Sequence, residues 1–253
     1  MTPEGSQASD DFYIGYATSG WRGAALTIGL TFLLTAVGLG FWIASAQQGA
    51  GTGSWQPNER QTTLGVLTVD PYPVLHTLEQ PSRSILLVRP GKASAAALVS
   101  PYAGQVVGVR GAPIERGGWS MLEVYDDDDL APAESPTAVT PSAHVPELVP
   151  AEDVTLTGEI VDSKCFLGVM KPGTGKVHRA CAALCLTGGM PPMLVVTDSA
   201  GDRYGYLLVN EDGSSASLRL VPDVAVPVAV TGRLETRGDL VYLRLAASAV
   251  RRI

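Results

Sequence analysis

"VTGRLETRGDLVYLRL", Val230–Leu245, is the stretch on which the fold turns. Val228 and Val230 precede Arg237-Gly238-Asp239, and Leu243 and Leu245 follow it, each pair on alternate positions. A period of two puts one row of side chains on one face of a sheet, and the Gly-Asp pair supplies a tight hairpin connection. The same design stands at an offset of 121 residues as "VRGAPIERGGWSMLEV", Val109–Val124: V-x-G, then Arg-Gly, then an alternating strand. A second pair of stretches matches in the same order, with Leu64–Asp70 (LGVLTVD) 92 residues ahead of Leu156–Asp162 (LTGEIVD). Two matches in one order read as a duplicated β unit.

In the second copy the pattern predicts strands at Thr155–Asp162, Met193–Asp198 and Arg203–Asn210. A short helix or turn over Ser214–Val221 and the hairpin Ala225–Ala246 complete it. The first copy offers strands near Thr62–Val69, Ser84–Arg89, Ala96–Ser100, Gln105–Gly111 and Trp119–Tyr125. There Pro71 and Pro73 end the first strand, and Pro101–Gly104 stands in for the helix. Strand-strand-strand-helix-strand-strand resembles the OB-fold, a small Greek-key barrel, in order of elements rather than by any diagnostic motif. The resemblance implies a mainly β protein with two OB-like barrel domains, 62–125 and 154–253. An immunoglobulin-like sandwich needs more strands than these segments supply.

Ahead of the barrels, Gly23–Ala46 carries no charged residue and has the length that crosses a bilayer, roughly 20 residues. Trp21 and Trp42 sit near its ends, Arg22 precedes it, and no Lys or Arg follows until Arg60. That asymmetry predicts residues 1–22 in the cytoplasm, a single-pass helix at 23–46 in the inner (cytoplasmic) membrane, and periplasmic or other extracytoplasmic C-terminal domains. Ala44-Ser45-Ala46 also fits a signal-peptide cleavage site, but the apolar run is longer than a signal core and acidic residues precede it. Residues 47–61 read as a tether and 126–153, rich in Pro, Ala and acid, as a linker in which Asp126–Asp129 are solvated. The net charge of −7 excludes a nucleic-acid partner, which needs a basic surface.

The two offsets differ because the second copy is longer between its first strand and its hairpin. The extra chain, 163–192, holds all three cysteines and one of the three histidines. On a helix His178, Cys181 and Cys185 fall at i, i+3 and i+7 on one face, and "MKPGTGK" is a turn that can fold Cys165 back onto it. Three readings of the cluster stay open. A disulfide from Cys165 to Cys181 or Cys185 would clamp the insertion and leave one thiol over. Cys165, His178, Cys181 and Cys185 together would ligate zinc or copper. Lys164, Lys171, Lys176 and Arg179, a local basic patch, would activate a thiol for redox chemistry. Asp162 is placed to orient His178 or a lysine, or to cap a turn, and His76 and His144 read as structural or solvent-facing.

No nucleophile elbow, phosphate loop, zinc-protease motif or dinucleotide fingerprint occurs, so no catalytic residue is assigned. The first expectation is a non-catalytic accessory or scaffold subunit on an integral membrane protein complex, with an electron-transfer (respiratory or photosynthetic) complex as the expected host, held in the lipid bilayer through residues 23–46. The alternatives are a zinc or copper protein using the Cys3His set and a thiol-dependent redox protein.

Overall fold

Helix α1 (Arg22–Gln48) contains one continuous apolar stretch, Gly23–Ser45, with a mean hydropathy of 2.0. The side chains of Gly23–Ser45 are exposed all round, so this stretch has no amphipathic face to bury, and it is long and apolar enough to cross a membrane. Thr27, Thr31 and Thr35 return their hydroxyls to carbonyls one turn back, which lets them sit in an apolar helix without an unpaired donor. The computed structural model describes residues 22–48, 53–133 and 140–253. The expected cytoplasmic segment except Arg22, residues 49–52 of the tether and residues 134–139 of the linker lie outside these.

The chain from Gly51 onward is a separate unit. Its strands and helices are β1 (Ser54–Trp55), β2 (Gln61–Thr68), β3 (Val74–Thr77), β4 (Ser84–Val88), α2 (Ala96–Val99), β5 (Val106–Arg116), β6 (Trp119–Glu123) and β7 (Leu130–Pro132). They continue with β8 (Leu148–Asp162), α3 (Arg179–Thr187), β9 (Pro192–Thr197), β10 (Arg203–Asn210), α4 (Ser217–Leu220), β11 (Pro227–Arg237) and β12 (Leu240–Arg252). Strands β2-β3-β4-β6-β5 close on β2, and β8-β9-β10-β12-β11 close on β8. In both rings the third and fifth strands pair in parallel and every other neighbour is antiparallel. These are two OB-like barrels of one topology, each with its helix between the third and fourth strands.

Several expectations need correction, the first being the 47–61 tether, in which Ser54–Trp55 pairs with β5. Ala96–Ser100 is not a strand but α2, followed by a 3-10 turn over Ser100–Tyr102, so the first copy keeps its helix; an Ala-rich run favours helix, and of it only Val99 is buried. Strand β3 is additional: all four of its residues are buried, so it shows no alternation to read. The linker is shorter than 126–153. Leu130–Pro132 adds to β5, and β8 begins at Leu148. Asp129 in that acidic run is buried; it takes the Tyr125 N–H at 2.9 Å and pairs with Arg60.

The barrels are fused through a common core. Tyr72, Leu86 and Met121 of the first pack with Phe166, Met193 and Leu207 of the second. The Tyr72 hydroxyl donates to Leu208 O at 2.5 Å and accepts Ala216 N–H at 3.1 Å, and burial pushes its pKa up to about 12. Lys164, expected in a surface basic patch, is instead 2% exposed. Its Nζ lies 2.5 Å from Glu123 Oε1 and donates to the carbonyls of Arg89 (2.8 Å) and Gly91 (3.1 Å). An ammonium this deep persists only because a carboxylate and two carbonyls from the other barrel replace its water. Lys171, Lys176 and Arg179 remain exposed.

Candidate metal centre

Strand β8 ends at Asp162, which is fully buried and organises the segment after it. Its Oδ1 accepts the Cys165 N–H at 2.9 Å, fixing the start of a tight turn over Cys165–Val169. Its Oδ2 accepts the His178 Nε2–H at 2.7 Å. Burial would raise the Asp162 pKa, but the His178 hydrogen bond and the Cys165 N–H outweigh it and hold the carboxyl below its ordinary range. One side chain thus sets the position of two of the expected ligands.

His178 is the N-cap residue of α3, with its carbonyl accepting the Ala182 N–H at 3.0 Å, so the imidazole and the first helical turn are fixed together. Cys181 and Cys185, one turn apart, follow on the same side. Candidate ligand atoms of Cys165, His178 and Cys181 lie within 4.8 Å of one another, as do those of Asp162, Cys165 and Cys185. The structure therefore brings the four residues of the expected Cys3His set into two overlapping triples that share Cys165, with Asp162 in the second. Cys165, Cys185 and His178 are buried, whereas Cys181 is partly exposed, and all three sulfurs are separate thiols. With Nε2 given to Asp162, His178 Nδ1 is left buried and without a hydrogen-bond partner.

The first barrel closes the site. Lys92 Nζ donates to Cys181 Sγ at 2.7 Å and stands 3.8 Å from Cys185 Sγ. The Cys181 hydrogen bond raises the Lys92 pKa, keeping it an ammonium. Cys165 shares a hydrogen bond with Cys185 and is buried, so its pKa is driven up, while accepting that bond holds Cys185 down, helped by Lys92. Gly188, at the end of α3, is required here by close approach: a Cβ on it would collide with Lys92 O. Its carbonyl accepts the Ser94 N–H at 2.8 Å. Gly53 and Gly168 pack backbone to backbone in the same way and pin the Cys165 turn to the start of the first barrel.

Residue type and, for His178, Cys181 and Cys185, helical spacing point to the four candidate ligands. Nothing in the sequence points to Lys92 or Glu123, which come from a different barrel and gain meaning only through the fusion. His76 is buried between Thr68 Oγ1 and Ser84 Oγ, each 3.2 Å from a ring nitrogen, and lies outside the site. His144 contacts the carbonyl of Thr140. Three thiols and one imidazole, its ring oriented by a carboxylate, make a donor set for one borderline or soft ion. No protein-family model, curated protein or solved structure matches this chain.

Proposed function

We propose that the protein is a membrane-anchored metal-binding protein that holds one zinc-type ion through Cys165, Cys181, Cys185 and His178. The observation that carries this reading is the orphaned His178 Nδ1. A buried ring nitrogen without a partner costs about 1–3 kcal/mol, and a disulfide clamp would leave it stranded. An ion on Nδ1, with a carboxylate on the other nitrogen, is the usual way a ligating imidazole is oriented. Charge supports a divalent ion. Three thiolates around it leave one excess negative charge, and the Lys92 ammonium on Cys181 balances that. Copper(I) is the competing ion for the same donors.

The apolar helix would hold the fused barrels at the extracytoplasmic face of the inner membrane, as the single flanking Arg22 favours. There an integral membrane complex is the natural donor or acceptor of the ion. The test is titration of the full chain, purified reduced in detergent, with Zn(II) or Cu(I) against a competing indicator, alongside thiol labelling. One equivalent bound, with all three thiols shielded, is expected. No ion bound by the reduced chain, and a single labelled thiol in chain isolated without reductant that rises to three once reductant is added, would establish the disulfide clamp instead.

A further inference from the structure

The four ligands are unequally covered. Cys165, Cys185 and His178 are at most 4% exposed, while Cys181 is partly open to solvent and Lys92, itself exposed, lies across it. Four protein donors fill the shell of a tetrahedral ion, so an acceptor takes the ion only by displacing one of them. Here three donors form a fixed base and the fourth faces out, beneath a flexible cation carried on a different barrel. We infer that the ion is exchanged through the Cys181 edge, with Lys92 acting as a positioning residue for the departing thiolate; this rests on the metal reading above.

The step balances without electron transfer. An incoming thiolate from the acceptor forms a bond to the ion as the Cys181 sulfur–metal bond breaks. Cys181 leaves as a thiolate and is received by the ammonium already 2.7 Å away, which keeps its protons and donates one hydrogen bond more strongly. The oxidation state of the ion does not change. Lys92 also draws electron density from the bound sulfur, loosening that bond relative to the three behind it. The acceptor such an edge suits is a protein segment that presents a thiolate to the partly exposed Cys181 while Lys92 stays on the leaving sulfur.

The experiment is stopped-flow transfer of Zn(II) from the loaded full chain in detergent to glutathione as the incoming thiol. The expected rate rises linearly with glutathione concentration and falls about tenfold in Lys92→Met, because a hydrogen bond to a charged group is lost from the leaving sulfur. Lys92→Arg, which keeps charge and donors, restores most of the rate, whereas a merely structural Lys92 would not distinguish Met from Arg in exchange at equal thermal stability. A rate independent of glutathione, or unchanged in Lys92→Met, overturns the inference while leaving one bound equivalent and hence the metal reading intact. A wild-type chain that takes up no ion overturns both.

Discussion

Lys164, next to Cys165 in the chain, and Glu123 join the barrels, and removing one without the other is the most informative perturbation of the fold. At 2.5 Å and an effective dielectric near 20 their attraction is about 7 kcal/mol, against which stands the desolvation of two charges no more than 4% exposed. The net worth of the pair is therefore small, but the cost of orphaning either member is not. Glu123→Gln leaves an ammonium facing two carbonyls and a neutral amide; Lys164→Met leaves a buried carboxylate. Each single change is expected to cost about 3–5 kcal/mol. For a unit of this size that lowers Tm by about 6–20 °C. The double variant removes both charges and is expected to recover at least about 2 kcal/mol relative to the sum of the singles. Equilibrium unfolding of the full chain in detergent, followed by circular dichroism of the strands, gives all three values. Strict additivity, or single variants within about 1 kcal/mol of wild type, would refute the account of how the barrels are joined.

Gly188 has φ −77°, which any residue adopts, so the cost of Gly188→Ala comes from displacing Lys92 O alone. A loss of about 1–3 kcal/mol and slower metal exchange are expected; a neutral change in unfolding would contradict the close approach. His76 is held neutral, its pKa lowered to about 4 by burial and then by nearby Arg237. The unfolded chain takes up this proton below about pH 6.5 and the folded chain only below about 4, so stability falls as pH drops through that window, by about 3 kcal/mol in full. His76→Gln is expected to flatten the unfolding profile between about pH 6.5 and 4, and an unchanged slope would remove His76 as its cause.

Much of the architecture is legible because half-buried strands announce themselves by alternation, as Val228–Val230 and Leu243–Leu245 do. Val74–Thr77 is not, since a strand covered on both faces has no period to detect. The Ala96–Ser100 run is too short for its propensity to be weighed against its neighbours. At the site, the four candidate ligands are legible by residue type, three of them by helical spacing, and Asp162 by its adjacency. Lys164 reads as a surface cation because a lysine is buried only when a partner waits for it, and that partner, Glu123, lies 41 residues away. Lys92 is hidden for the same reason, 89 residues from Cys181.

X-ray absorption at the metal edge of the zinc-loaded full chain tests the central claim most directly. Three sulfur neighbours at about 2.3 Å and one nitrogen at about 2.0–2.1 Å are predicted, with the nitrogen contribution lost in His178→Ala. A shell of oxygen and nitrogen only, or one indifferent to His178 and the three cysteines, would contradict it.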